Sequence, residues 1–303
     1  SWDVMTGICY IELESRGVLA VGGGDAAQFL QDLVSNDIAQ VGEGCVVYAA
    51  LLTPQGKYLH DFMVARDTGT FLLDCEAARL IDLGQRLGAY RLRADIELLD
   101  ATEDWRVVSL LGDGAETRLG LNLARPGAAV VLEGGGLIYR DPRPQMPGLR
   151  AFIPRAAGFA LLEAAGISTG KALDYERVRI AAAVPDGSRD LTVNKSTLIE
   201  FGFEALRGVN FEKGCYVGQE LTARTKYRGL MRRRLQRVFV DGALPAPGTL
   251  IMANDKEVGQ ICSGLGDQAL ALLRLDRSAE AETAGISLTA GKATLRLSEN
   301  NNA

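Results

Sequence analysis

Apolar and polar positions follow a strand rhythm and a helix rhythm in turn along the larger part of the chain. Apolar residues alternate with polar ones over 8–21, as in a strand, whereas Phe29, Leu30 and Leu33 fall on one face of a helix over 26–35. Further strands are predicted at 45–52, 58–65, 70–74, 94–99, 105–111, 137–139 and 149–154, and further helices at 76–87, 119–123 and 175–183. Strands and helices that alternate around tight hairpins predict an α+β body with a mixed or antiparallel sheet.

The pattern changes after residue 234. Short apolar stretches are spaced regularly there and are separated by turn residues such as Pro247 and Gly248. They lie at 238–240, 249–252, 257–262, 269–275, 286–289 and 293–297. Regularly spaced short strands predict a small β-barrel. We therefore expect an α+β domain at 1–234 and a C-terminal β-barrel domain at 235–303.

Composition narrows the classes of function. The chain has 303 residues, of which 47% are hydrophobic, and its net charge is −5. The hydrophobic fraction suits a folded core, and the acidic charge disfavours a general nucleic-acid binder, which needs a basic field. Five widely spaced cysteines and a single histidine, His60, form neither a disulfide framework nor a metal-binding pattern. No apolar run reaches the roughly 18 residues that cross a bilayer. We expect a cytoplasmic protein without a metal, membrane or nucleic-acid partner.

Three glycines at 22–24 follow a predicted strand and precede the helix at 26–35. Together with Ala27 they satisfy the Gly-x-Gly-x-x-Ala pattern of dinucleotide-binding proteins. That fold also needs an acidic residue at the end of the next strand, and the strand that ends near Thr53 has none. The glycines therefore predict a tight strand-to-helix turn, in which Asp25 is suited to cap the helix.

The stretch with the most chemistry is KGCYVGQE, from Lys213 to Glu220. A cation such as Lys213 favours the thiolate of a nearby cysteine, and the thiolate is the reactive form. A free cysteine is more often a small buried apolar residue. The glycines on either side of Cys215 and the adjacent lysine favour a functional thiol, so Cys215 and Lys213 are the catalytic candidates.

The segment 213–224 resembles the signature of the YgfZ-type folate-binding proteins. These are relatives of the glycine-cleavage aminomethyltransferase, or T-protein, and act in iron–sulfur cluster maturation. The resemblance implies an aminomethyltransferase-like folate-binding body of two interleaved parts, a C-terminal β-barrel, and a central opening that binds tetrahydrofolate. It implies a protein that assists the assembly or repair of iron–sulfur clusters, with client or assembly proteins as partners. Whether the chain turns over a substrate stays open.

The same resemblance assigns roles to residues around the thiol. Glu200 in Thr-Leu-Ile-Glu is the candidate for the amino-pyrimidine edge of the pterin, because a carboxylate can accept two N–H groups there. Tyr216 and Gln219 would shape the site, and Arg224 and Arg228 would bind the carboxylates of the folate tail. The alternatives are a surface glutamate and a solvated run of basic residues.

The dipeptide His60-Asp61 marks a departure from the aminomethyltransferases, in which the comparable turn ends in paired aspartates. Asp61 can still hydrogen-bond a folate nitrogen, and we include it among the cofactor ligands. The departure counts against one alternative, an aminomethyltransferase of one-carbon metabolism. A second alternative is a folate-dependent protein that meets tRNA through Arg232, Arg233 and Arg234, and the acidic net charge counts against it.

Overall fold

The computed structural model describes residues 7–42, 44–227, 229 and 231–298. Strands in these ranges are β1 (Cys9–Glu12), β2 (Arg16–Gly22), β3 (Val47–Leu52), β4 (Tyr58–Asp67), β5 (Thr70–Glu76), β6 (Glu97–Asp100), β7 (Trp105–Leu111), β8 (Ala129–Val131), β9 (Leu137–Arg140), β10 (Leu149–Pro154), β11 (Ser168–Thr169), β12 (Arg233–Asp241), β13 (Leu250–Ala253), β14 (Lys256–Leu265), β15 (Gln268–Arg274), β16 (Leu288–Ala290) and β17 (Ala293–Leu297). The α-helices are α1 (Ala26–Leu33), α2 (Leu80–Tyr90), α3 (Ala115–Leu119), α4 (Ala160–Ala164), α5 (Ala172–Ala181), α6 (Gly187–Asp190), α7 (Gln219–Tyr227) and α8 (Leu275–Thr283).

The chain divides into two compact units, and each is discontinuous in sequence. Unit 1 comprises Ser1–Leu51, His60–Tyr175 and Arg207–Val217. Unit 2 comprises Leu52–Leu59, Glu176–Leu206 and Gly218–Ala303. The predicted division of the chain into domains at 1–234 and 235–303 stays a prediction. Within the described ranges, no helix has the length and apolar character that a membrane crossing requires.

Most of unit 1 is built on sheets. One has the strand order β11-β1-β7-β10-β9-β8, in which β1 and β11 are parallel and the other pairs are antiparallel. Apolar side chains such as Val108, Leu110 and Ile138 pack into its core. A second sheet has the order β3-β4-β5-β2-β6. Helix α1 buries Phe29, Leu30 and Leu33, the face that the periodicity predicts. The expectation of an α+β body with a mixed sheet is confirmed.

The glycine-rich turn at 22–24 joins β2 to α1, as predicted. Gly23 has a φ of +104°, and a Cβ there would lie 2.2 Å from the Asp95 carbonyl oxygen, so a larger residue does not fit. Asp25 occupies the N-cap position, but its carboxylate makes no hydrogen bond to the helix. It accepts the Asp95 backbone N–H instead, at 2.7 Å. The predicted capping role of Asp25 is therefore wrong, because a residue distant in sequence supplies a competing donor.

Unit 2 contains a closed barrel with the strand order β12-β15-β14-β13-β16-β17. Its interior is filled by small and branched apolar side chains, among them Val238, Ile251, Val258, Leu273 and Leu295. The predicted C-terminal β-barrel is confirmed. Helix α8 between β15 and β16 was not predicted, because it buries only Ser278 and Ala281 and so lacks an apolar stripe.

Two predicted helices differ in position from the observed ones. The helix predicted at 76–87 is α2, which begins only at Leu80, because strand β5 continues to Glu76 and a short 3-10 helix, Ala77–Arg79, follows it. The short helix predicted at 119–123 is α3, which ends at Leu119 because Gly120 adopts a left-handed conformation with a φ of +66°.

Candidate functional site

The segment Arg207–Val217, called the thiol segment below, contains Cys215 and lies in unit 1. Hydrogen bonds join it to the end of helix α1 and to the residues that follow. They run from the Asn210 N–H to the Ser35 carbonyl at 2.9 Å, from Ser35 Oγ to the Gly208 carbonyl at 2.6 Å, from Asn36 Nδ2 to the Arg207 carbonyl at 2.7 Å, and from the Val217 N–H to the Asp32 carbonyl at 3.3 Å. The start of the thiol segment is therefore attached to the residues that follow α1, and its end is attached to α1 itself.

Lys213 adds a third attachment in the middle of the thiol segment. Its ammonium group donates to the carbonyl oxygens of Gln31 and Val34 at 2.6 Å and of Asn36 at 2.9 Å. The last four carbonyl groups of a helix receive no hydrogen bond from within the helix, and they form the negative end of its dipole. A cation at this end is therefore stabilising. Burial lowers the pKa of Lys213 to about 8. The ammonium also lies 5.1 Å from the centre of the Tyr216 ring.

Cys215 is exposed, whereas the next residue, Tyr216, is buried. The thiol thus projects from a backbone that is held on both sides. The ammonium of Lys213 already has a carbonyl acceptor for each of its N–H groups, as its hydrogen bonds show. A catalytic role for Lys213 stays a prediction, and its contacts favour a structural role.

The remaining cysteines have a different environment. Cys9, Cys75 and Cys262 are buried, and burial raises the pKa of both Cys75 and Cys262 to about 12. The predicted core placement is confirmed for these residues, and Cys45 is half-buried. In the described part of the chain, no group of His, Cys, Asp and Glu side chains is arranged to hold a metal ion.

Glu200 lies in unit 2, in the 3-10 helix Ile199–Phe201, and is only 8% exposed. Arg233 donates to its carboxylate through Nε at 3.1 Å and Nη2 at 3.4 Å, and Thr197 Oγ1 donates at 3.0 Å. Glu200 also lines a cavity of about 330 Å³ together with Arg232, Arg233, Glu257, Gly259, Gln260, Leu272 and Arg274. The alternative of a surface glutamate is therefore wrong: this carboxylate is a buried acceptor at the wall of a polar cavity.

Asp61 lies in unit 1 on strand β4 and is buried. The Tyr48 hydroxyl donates to its carboxylate at 2.8 Å. Burial, followed by the charge of Asp61, raises the pKa of Tyr48 well above its ordinary value. A largely buried network lies close by, in which Asp74 accepts from Arg16 and Arg150, both at 2.6 Å. Asp61 therefore belongs to a buried polar cluster in which Tyr48 keeps its proton.

Gln219 begins helix α7, and Glu220 lies in its first turn. The helix starts beside a backbone contact that only glycine permits: Gly218 has a φ of +81°, and a Cβ there would lie 2.4 Å from the Thr53 carbonyl oxygen. Arg224 lies on α7 and is exposed. The remaining candidate for the folate tail, Arg228, lies outside the described residues.

Comparison with known proteins supports the same architecture. The sequence profile of the GCVT N-terminal domain matches residues 1–121, and that of the CAF17 C-terminal beta-barrel domain matches residues 232–302. The crystal structure of glycine cleavage system aminomethyltransferase T from Bartonella henselae superposes with a TM-score of 0.76 over 95% of this chain and 84% of that chain. Its sequence identity is 17%, so it shows a shared fold.

Two curated relatives cover most of the chain. The iron–sulfur cluster assembly factor IBA57, mitochondrial, of Homo sapiens is 34% identical over 280 residues, which are 86% of this chain and 76% of that protein. Its counterpart from Mus musculus is 31% identical over 294 residues, which are 90% and 79% of the two chains. The chain belongs to the IBA57 family. The resemblance to the YgfZ type is thereby refined, since the relatives that match carry the IBA57 name.

Membership of the IBA57 family bears on the location predicted for this chain. Both relatives are named as mitochondrial proteins. The cytoplasmic location stays a prediction, because it was inferred from cysteine usage and a reducing mitochondrial matrix is equally compatible with free thiols.

Several residues that contact the candidate site residues carry no signal in the sequence. Arg233 was considered only for RNA, and the structure pairs it with Glu200. Tyr48, the partner of Asp61, stands in an apolar stretch that looked like an ordinary strand. Ser35 and Asn36 gave no signal either, because their partners lie more than 170 residues away along the chain.

Proposed function

We propose that this chain assists the assembly of iron–sulfur clusters in other proteins and that Cys215 is its working thiol. The names of its IBA57 relatives support the first part. The observation that carries the second part is the exposure of Cys215 on a segment that is attached, on both sides of the thiol, to α1 or to the residues that follow it. Such an arrangement exposes the sulfur and limits the movement of its backbone.

An exposed thiol suits cluster chemistry. Iron–sulfur clusters are held by cysteine thiolates, and a thiolate on the surface can contact the iron of a cluster carried by a partner. The same sulfur could act as a nucleophile or a redox thiol. The buried cysteines are poorly suited to these roles, because burial disfavours their thiolates.

We further propose tetrahydrofolate as the small-molecule ligand. The aminomethyltransferase-like fold supports this. The environment of Glu200 also fits, because a buried carboxylate beside a polar cavity can accept hydrogen bonds from the N–H groups of an amino-pyrimidine ring. The ring would take the place of the Arg233 guanidinium on Glu200. Bound tetrahydrofolate would supply a carrier for one-carbon units. Asp61, Tyr216, Gln219, Arg224 and Arg228 remain the proposed further ligands.

A complementation experiment tests the role of the thiol. Cys215→Ala should fail to restore the activity of endogenous iron–sulfur enzymes in cells that lack their own IBA57-type protein, although it folds and accumulates normally. Cys45→Ala is the matched control, because Cys45 is the other thiol that is not buried, and it should restore activity fully. Full restoration by Cys215→Ala would remove Cys215 from the mechanism.

A further inference from the structure

Lys213 precedes Cys215 by two residues, and its ammonium group is directed at helix α1. We propose that Lys213 is a positioning residue, which places Cys215 by closing the C-terminal end of α1 and donates no hydrogen bond to the Cys215 sulfur. This inference concerns how the thiol is held. It rests on the proposed function only in assuming that the thiol is used.

The hydrogen-bonding capacity of the ammonium supports this role. An ammonium group has three N–H donors and no acceptor. The carbonyls of Gln31, Val34 and Asn36 accept at 2.6, 2.6 and 2.9 Å, which are full hydrogen bonds. To turn an N–H toward the sulfur, Lys213 would have to leave one of these carbonyls without its partner. Such a loss lowers the population of that arrangement by about tenfold.

The positions of these acceptors explain why one cation can hold the whole segment. Gln31 lies in the last turn of α1, Val34 is its C-cap residue, and Asn36 follows. The side chains of Ser35 and Asn36 bind the start of the thiol segment. Lys213 therefore joins the helix end, the residues after it and the thiol segment through a single group.

The protonation state of Lys213 should affect this attachment. The groups that face the ammonium are the carboxylates of Asp32 and Asp37 and the ring of Tyr216, and both carboxylates favour the charged form. Burial nevertheless lowers the pKa of Lys213 to about 8, whereas a solvated lysine in the open segment keeps a pKa of about 10.4. Because the open segment binds this proton more tightly, the attached arrangement should become more favourable as the pH rises through about 8.

Two measurements test the proposal. Hydrogen exchange with mass spectrometry follows the backbone of the thiol segment relative to a peptide from strand β15, and iodoacetamide labelling follows Cys215 by peptide mapping from pH 6 to 10. In Lys213→Met we expect exchange about tenfold faster in the thiol segment and a labelling midpoint that moves by less than about half a unit. Lys292→Met, at an exposed position on the barrel, should change neither quantity.

The opposite results are equally clear. A labelling midpoint that rises by about one unit or more in Lys213→Met, as expected when a direct hydrogen bond to the thiolate is lost, overturns the proposal. Unchanged exchange overturns it as well. If Lys213→Met does not fold, Lys213→Arg replaces it, because a planar guanidinium keeps the charge but not the donor geometry. Lys213→Arg should speed hydrogen exchange in the thiol segment without moving the labelling midpoint of Cys215.

The unmodified protein supplies an independent test. Hydrogen-exchange protection of the thiol segment, relative to the β15 peptide, should rise between pH 7 and pH 9 by about tenfold, and a constant or falling value would refute the proposal. Neither method measures cluster assembly. Full restoration of enzyme activity by Cys215→Ala would therefore remove the proposed function and leave this inference intact.

Discussion

His60 offers a quantitative test of the buried electrostatics in unit 1. Its side chain is only 3% exposed, and Nε2 lies 2.7 Å from Asp82 Oδ2, to which it donates in the neutral form. Burial and then the nearby charge of Arg79 lower the pKa of His60 to about 4, against the opposing effect of Asp82. The unfolded chain takes up a proton near pH 6.5, well above the folded state.

The free energy of unfolding should therefore decrease as the pH falls from 6.5 toward 4, because the unfolded state binds the proton first. From a folded pKa of about 4 and an unfolded value near 6.5, the loss amounts to about 2 kcal/mol at pH 5. His60→Gln keeps a donor toward Asp82 and cannot titrate, so it removes this pH dependence.

Urea denaturation of both proteins between pH 7.5 and pH 5 measures the effect. The difference in unfolding free energy between the unmodified protein and His60→Gln should change by about 2 kcal/mol in favour of the variant across this range. Titration of the many surface carboxylates is common to both proteins and cancels. A difference that stays constant within about 0.5 kcal/mol would show that His60 titrates alike in the folded and unfolded states.

Two further predictions concern Glu200 and Gly218. Glu200→Gln should weaken tetrahydrofolate binding by roughly tenfold or more in calorimetric titration, because charge-assisted hydrogen bonds are lost. The control Glu204→Gln, at an exposed ion pair in unit 2, should bind normally. Equal affinity of both variants and the unmodified protein would exclude Glu200 from the pocket. Gly218→Ala should destabilise the protein by about 1 kcal/mol or more beyond Gly248→Ala in thermal unfolding, because both glycines have positive φ but only Gly218 lies against the Thr53 carbonyl. Equal losses would mean that this contact relaxes.

The fold could be predicted from local patterns wherever burial leaves a periodic signature. Strand β2, helix α1 and the barrel strands each bury one regular set of apolar residues, so their positions followed from the sequence. Helix α8 buries two small residues and was missed. The limits of α3 depended on the backbone conformation of Gly120, which composition alone does not reveal.

The candidate site was predictable only in part, because its contacts join distant parts of the sequence. The motif around Cys215 distinguished this thiol from the buried cysteines, and the structure exposes it, while its functional role stays a prediction. The carbonyl acceptors of Lys213 could not be predicted from the sequence, because they lie near residue 34, far from Lys213 along the chain. The Arg233 partner of Glu200 could have been suspected, because a buried carboxylate requires a compensating donor.

The contacts of His60 and Asp61 also change how the departure from the aminomethyltransferases should be interpreted. Successive side chains on a strand point to opposite faces. Accordingly, His60 meets Asp82 of helix α2, whereas Asp61 meets Tyr48. A pair of acidic residues at these positions would not share one site, so the histidine alters only one face of β4. The carboxylate of Asp61 is retained on the other face, where it accepts from Tyr48. The dipeptide therefore counts less against aminomethyl transfer than the sequence suggests, and under the proposed function the distinction rests on Cys215.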